Sequence, residues 1–247
     1  MMEYMNLPFT AFVLAGGFGT RLRPVLHNCP KPMAPIDDRP FLEILIESLN
    51  QKGVHEIVLL TGYMADLIEE HFQSISPLSI KFSREDEPLG TGGAVKNAEY
   101  LATDPTLLVN GDTFLDADLK GLFAWHRSKG LAATLSLVEV GDTSRFGRVS
   151  SDSNGLITGF QEKGDNNQAP GFINAGFTLL SLETIRRLPA QRHFSMEEEI
   201  FPLLAESREM TGFVHEGAFF DIGTPESYEE FRRYVREQRI PTSCSTP

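Results

Sequence analysis

The chain has 247 residues, and its 22 Lys and Arg against 34 Asp and Glu leave a formal net charge of −12. That length supports a substantial buried core, while the acidic balance argues against nucleic acid or an anionic membrane as a partner. No apolar run nears the roughly 20 residues of a membrane span, the N-terminus lacks the basic start and apolar middle of a signal peptide, and Cys29 and Cys244 read as two free thiols, so a cytoplasmic protein is expected.

The first predicted strand covers residues 10–14 and runs into Leu14-Ala15-Gly16-Gly17-Phe18-Gly19-Thr20-Arg21-Leu22-Arg23-Pro24, with Pro30-Lys31-Pro32 just beyond. Consecutive glycines let backbone N–H groups approach a phosphate chain, and Arg21 and Lys31 can neutralise its charge. Two familiar phosphate loops fail on spacing. No Gly-x4-Gly-Lys-Ser/Thr string occurs, and the third glycine of a dinucleotide fingerprint counted from Gly17 and Gly19 falls on Leu22. The loop reads as a nucleoside-triphosphate cradle, against the alternative of a strand-to-helix turn with no ligand, and the Thr-Arg pair and the Pro-flanked lysine favour the cradle.

Pro40 opens a helix with Phe41, Leu42, Leu45, Ile46 and Leu49 at three-to-four spacing. A strand over 54–60, a short helix over 65–72 and a strand over 78–82 follow. Next comes a second glycine-rich element, Glu85-Asp86-Glu87-Pro88-Leu89-Gly90-Thr91-Gly92-Gly93-Ala94, leading into a helix over 91–101 and a strand over 106–109. Beyond Gly130 the segments shorten and become strand-rich, over 132–140, 147–150, 156–161 and 172–180. Ser195 and Glu198 form a capping box for a helix toward Ala205 that Pro202 bends or ends, and Thr224-Pro225 open a last helix with Tyr228, Phe231 and Tyr234. Those aromatics suit the core or a dimer face, with the core preferred, and a homo-oligomer stays open. The polar tail over 241–247 is expected to be mobile, and no β-helix repeat follows.

Apolar runs alternating with amphipathic segments imply an α/β fold: one Rossmann-like domain over 1–240, with a mixed, mainly parallel sheet and helices on both faces. The pattern changes near residue 130, so residues 10–130 and 131–240 are expected to serve as two functional halves of this one domain, the first holding the nucleotide and the second lining the acceptor side.

Asp112, after Val109-Asn110-Gly111, and Asp221, in Phe220-Asp221-Ile222-Gly223-Thr224, each close an apolar strand, where open α/β sheets bind ligands. Such carboxylates are the hard oxygen donors that magnesium prefers. Glu87 points to guanine, whose adjacent N1–H and N2–H₂ donors one carboxylate can accept.

Gly-Gly-x-Gly-Thr-Arg-Leu-x-Pro with a downstream Lys-Pro resembles the signature of the sugar-1-phosphate nucleotidyltransferases, and the resemblance extends over about residues 11–231. The 30–43 and 87–94 stretches look most like the D-glycero-α-D-manno-heptose 1-phosphate guanylyltransferases, then the mannose-1-phosphate guanylyltransferases, then uridylyl and thymidylyl enzymes. The resemblance implies transfer of a nucleotidyl group from an NTP, with GTP favoured, to a sugar 1-phosphate. It implies Arg21, Lys31 and Asp112 as catalytic residues and Asp112 with Asp221 as Mg2+ ligands. Leu14, Ala15, Gly16, Gly17, Gly19, Thr20, Arg21, Glu87, Pro88, Gly92 and Asp112 would contact the nucleotide. Asn110, Gly111, Gly147, Glu162, Lys163, Asn174 and Gly176 would contact the sugar phosphate. Gly164 replaces a frequent proline and Phe220 a frequent tryptophan, which bears on sugar preference. A nucleotide-sugar-sensing regulator is the alternative from another class, and it would be free to lose one of Arg21, Lys31, Asp112 and Asp221, all of which are present.

Overall fold

The computed structural model describes residues 6–17, 29–74, 79–161, 169–190 and 192–238. The expectations for Gly19, Thr20, Arg21, Arg23, Glu162, Lys163, Gly164, Cys244 and the 241–247 tail fall outside these residues.

Strand β1 (Ala11–Leu14) is followed by a 3₁₀ turn (Lys31–Met33), a small hairpin of β2 (Pro35–Ile36) and β3 (Arg39–Pro40), and helix α1 (Phe41–Gln51). Then come β4 (Glu56–Thr61), α2 (Ala65–Ser74), β5 (Ser79–Arg84), α3 (Gly90–Asn97) and β6 (Thr106–Asn110). The middle of the chain holds β7 (Thr113–Leu115), α4 (Leu119–Lys129), β8 (Ala133–Val140), β9 (Arg148–Ser151), β10 (Ile157–Gln161) and β11 (Gly171–Leu180). Helices α5 (Leu182–Arg187) and α6 (Phe201–Glu206), strands β12 (Met210–Val214) and β13 (Phe219–Asp221), and helix α7 (Pro225–Gln238) complete it.

Nine strands make one mixed sheet in the order β10-β9-β11-β6-β1-β4-β5, with β8 joined to β11 and β12 beyond it. Strands β5, β4, β1 and β6 run parallel, and β11 meets β6 antiparallel, so the strand-rich second half extends the same sheet. Side chains alternate between two apolar layers. Ala11 and Val13 face a layer with α1, α2, α4 and α7, whereas Phe12 faces one with α3, α5 and α6. The helices thus lie on both faces, as the continuous apolar runs imply. At about 1.5–3 kcal/mol per buried large side chain, these layers supply the main drive to fold.

Several boundaries differ from the sequence reading. The helix expected over 91–101 ends at Asn97, and Glu99–Leu101 is a separate 3₁₀ turn after Ala98 leaves helical geometry. Helix α4 was not anticipated, since only Leu119, Leu122 and His126 are buried along it, although Asp118 caps its start and Gly130 ends it at φ 61°. Ser195 does cap its helix by accepting the Glu198 N–H at 3.2 Å, but the reciprocal bond to the Ser195 N–H comes from Glu199. That helix opens with a π turn (Met196–Ile200), and Pro202 then sits in the first turn of α6, where its missing N–H costs no bond.

The aromatics of α7 belong to the core. Phe231 packs with ring centroids 5.0 Å from Phe41, 5.1 Å from Phe114 and 5.4 Å from Phe220. Helix α7 thereby clamps β13 onto β7, with Asp221 opposite Thr113.

Candidate active site

A cavity of about 520 Å³ opens at the C-terminal edge of the parallel strands. Its walls come from Leu14 at the end of β1, Gly62 and Tyr63 after β4, Glu85 to Pro88 after β5, and Asn110 to Asp112 after β6. Such an edge is where successive βα turns leave backbone groups and short side chains free to meet a ligand.

Close backbone approach explains the glycines here. The Gly111 N–H donates to the Leu14 carbonyl at 3.0 Å, and a Cβ on Gly111 would stand 2.2 Å from that oxygen. Only a glycine lets the loop after β6 fold against β1 and bring Asp112 to the cavity. Gly16 is held by the Tyr63 N–H on its carbonyl at 3.2 Å, while Gly17 faces open space.

Lys31 begins its 3₁₀ turn between Pro30 and Pro32, and its ammonium donates to Asp112 Oδ2 at 2.6 Å and to Asp221 Oδ1 at 3.4 Å. The lysine side chain is 12% exposed, against 38% for Asp112 and 27% for Asp221, so the carboxylates are the wetter partners. Asp221 Oδ1 also accepts the Gly223 N–H at 2.6 Å. A Cβ on Gly223 would lie 2.6 Å from that oxygen and 3.2 Å from the ammonium, which accounts for the glycine of the D-x-G-T string. Below the lysine, Cys29 Sγ donates to the Met33 carbonyl, and burial pushes its thiol pKa up.

Also in the cavity wall, Glu85 Oε2 accepts the Leu89 N–H at 2.6 Å, and its Oε1 lies 3.2 Å from where a Cβ on Gly16 would stand. Burial raises the Glu85 pKa, against the opposing pull of the Leu89 amide and of His193. The glycine-rich start of α3 is seated on a distant segment. The Gly92 N–H donates to the Phe194 carbonyl at 3.0 Å and the Phe194 N–H to the Leu89 carbonyl at 3.0 Å. Thr91 Oγ1 donates to Glu197 Oε2 at 2.6 Å and accepts the Met196 N–H.

Of the expected residues, Leu14, Gly16, Gly17, Lys31, Glu87, Pro88, Asn110, Gly111 and Asp112 line the cavity, and Asp221 joins them through Lys31. Ala15 and Gly92 are buried behind the wall. Ala15 bonds its N–H to Leu60, and a Cβ on Gly92 would fall 2.1 Å from the Phe194 ring. The amides of Leu89 and Gly92 are thus occupied within the fold rather than offered to a base. Of the residues expected to contact the sugar phosphate, Gly147, Asn174 and Gly176 are not among those lining this cavity; Gly176, at φ 74°, takes its N–H to Asn174 Oδ1 at 3.0 Å and lies against the Asn110 side chain. Gly147, at φ 79°, follows Phe146, whose ring packs on Phe219 of β13. The sequence reading missed Glu85, Tyr63, His193 and Glu197 as wall residues. Glu85 stood in the acidic triplet, but no signal marked it above Glu87.

Residues 10–238 match the nucleotidyl transferase family. The chain is 38% identical over 222 residues to D-glycero-alpha-D-manno-heptose 1-phosphate guanylyltransferase from Campylobacter jejuni, covering 90% of this chain and 97% of that protein. It is 39% identical over 223 residues to mannose-1-phosphate guanylyltransferase from Mycobacterium tuberculosis, covering 88% of this chain and 62% of that one. The crystal structure of HddC from Yersinia pseudotuberculosis complexed with GMP-PN matches with a TM-score of 0.80 at 35% identity, covering 92% of this chain and 99% of that one.

Proposed function

Because the chain belongs to the nucleotidyl transferase family, we propose that it transfers the guanylyl group of GTP to D-glycero-α-D-manno-heptose 1-phosphate, giving the nucleotide sugar and pyrophosphate. The observation that carries this reading is the Lys31 ammonium set between Asp112 and Asp221 in the wall of a cavity that also bears the half-buried carboxyl of Glu85. The cation suits phosphates and the fixed carboxylate suits a base.

The nucleophile, an oxygen of the sugar phosphate, is already an anion. No serine, cysteine or histidine is needed to activate it. The task is charge neutralisation and in-line placement of two mutually repelling phosphates. Lys31 offers a compact charge to the α-phosphate as its oxygens gain charge. Arg21, through a rigid guanidinium fork, would hold the β- and γ-phosphates that leave. Asp112 and Asp221 fit a magnesium ion, since they are hard oxygen donors partly open to the cavity and already share one cation. Bound there, magnesium would supply further neutralisation and a template for the phosphate oxygens.

For the base, Glu85 is better supported than Glu87. It is half-buried and fixed by the Leu89 amide, whereas Glu87 is exposed. A fixed carboxylate in a partly desolvated wall accepts guanine N1–H and N2–H₂ at less ordering cost than a solvated one. Asn110, Gly111, Gly147, Asn174 and Gly176, with Glu162 and Lys163, would receive the sugar phosphate. We assign the reaction to the cytoplasm, with no part for nucleic acid or membrane. Among the described residues, no helix is long and apolar enough to cross a membrane.

The test is pyrophosphate release by the purified protein with magnesium, across four nucleotides and heptose, mannose, glucose and amino-sugar 1-phosphates. GTP with the heptose 1-phosphate should turn over fastest. The 39% identity to a mannose-1-phosphate guanylyltransferase makes mannose the second reading. No turnover with any pair would instead favour a regulator.

A further inference from the structure

We infer that Lys31 and a divalent cation compete for the Asp112–Asp221 pair, so that the lysine holds this site closed to metal until a triphosphate draws its ammonium away. This rests on the metal assignment made above for those two carboxylates.

The two aspartates come from different strand ends, one after β6 and one closing β13, and the Lys31 ammonium reaches both from a third element, at 2.6 and 3.4 Å. Asp112 Oδ2 is filled by the lysine, and its other oxygen accepts the Thr113 hydroxyl at 3.3 Å. Asp221 Oδ1 carries both the lysine and the Gly223 amide. A cation that bridges the two carboxylates where the ammonium now sits, through Asp112 Oδ2 and Asp221 Oδ1, therefore takes the oxygens that Lys31 occupies. Two carboxylates facing one another repel, and the ammonium relieves that repulsion. Displacing it costs the lysine its partners in a pocket where it is 12% exposed. A triphosphate changes the balance, because its oxygens give the ammonium an equivalent anionic partner and free both aspartates. Metal and nucleotide are then positively coupled through one side chain, beyond their direct contact with each other.

The device also explains why three elements converge with so little room. Gly223 leaves space for the ammonium, and Pro30 and Pro32 restrict the backbone that aims it.

The test is Mn2+ binding to the nucleotide-free protein, measured by electron paramagnetic resonance of the free ion, for wild type, Lys31→Gln, Lys31→Arg and Lys31→Gln/Asp112→Asn. Circular dichroism confirms that each variant is folded. Lys31→Gln should bind Mn2+ about tenfold more tightly than wild type, and Lys31→Arg, which keeps the charge, should not. Adding Asp112→Asn should abolish the gain. Unchanged or weaker Mn2+ binding in Lys31→Gln, with Asp112→Asn still lowering it, overturns the competition while leaving the metal assignment intact. Tighter binding that survives Asp112→Asn overturns both, because the metal then sits elsewhere.

Discussion

Phe194 lies across Gly92 so closely that a Cβ on the glycine would fall 2.1 Å from the ring, although the two residues are 102 positions apart. Their backbones are also joined, by the Gly92 N–H on the Phe194 carbonyl. Gly92→Ala should destabilise by about 1–3 kcal/mol through overpacking, and Phe194→Ala by about 3–5 kcal/mol through the cavity it leaves. The pair Gly92→Ala with Phe194→Leu should lose less than the sum of its single changes. Urea denaturation of the four proteins reads the coupling, and strict additivity would show that the contact carries none.

Gly111→Ala should act nearer the chemistry. The new methyl group would meet the Leu14 carbonyl at 2.2 Å, and a backbone atom cannot swing aside, so the loop carrying Asp112 must move. A shift of about 1 Å at a reacting group is enough to cost about a hundredfold in turnover. Steady-state pyrophosphate release checks this, and a rate within a factor of about two of wild type would contradict it.

Glu85→Gln should weaken use of GTP relative to UTP, whereas Glu87→Gln should leave the ratio alone. The amide at residue 85 would still accept from the Leu89 N–H but would set an NH₂ group against one of the guanine donors. A loss of at least about tenfold in the GTP-to-UTP ratio of kcat/KM is expected from a site built to pair those donors. Competition between the two nucleotides in one tube measures it directly, and equal ratios for both variants would remove Glu85 from base recognition.

His215 makes stability depend on pH. The ring is buried, accepts the Asp118 N–H at Nδ1 and pairs Nε2 with the Ser136 hydroxyl, and desolvation lowers its pKa to about 4. A folded-state value below the unfolded one means that the unfolded chain binds more protons between those two pH values. Stability is therefore complete above about pH 6.5 and falls as pH drops toward 4, by roughly 3 kcal/mol in all. Burial shifts His126 in the same direction. Denaturant titrations at pH 7.5 and 5 should show the loss, and His215→Gln should flatten it while lowering stability at both. An unchanged slope in that variant would contradict the assignment.

The central parallel strands β1, β4 and β6 were legible because each is buried on both faces and so reads as a nearly unbroken apolar run. Ala11 to Leu14, Glu56 to Thr61 and Thr106 to Asn110 lie within a residue or two of where the sequence puts them. Helix α1 was legible from a wide apolar stripe started by a proline. Helix α4 and strand β12 were not, since α4 buries a narrow stripe and Gly212 interrupts β12 to admit Leu137. In the site, local motifs and the family resemblance pointed to Lys31, Asp112 and Asp221, and the structure brings these three side chains together. Spacing could not find His193 and Glu197, which reach the cavity only through the pairing of Phe194 with Leu89 and Gly92. The same pairing explains why Gly92, read as facing a ligand, faces a phenyl ring instead.

The short ladder between β7 and β13 has a consequence in time. Asp221 stands opposite Thr113, so one carboxylate of the pair follows early strands and the other arrives with a strand just before the closing helix. Synthesis from the N-terminus makes Lys31 and Asp112 long before Asp221 exists. A register slip of one residue in that ladder would turn Asp221 to the opposite face, away from Lys31. The Lys31–Asp112–Asp221 cluster therefore depends on the register of a ladder whose second strand is made late, as much as on the motif that follows the first strand.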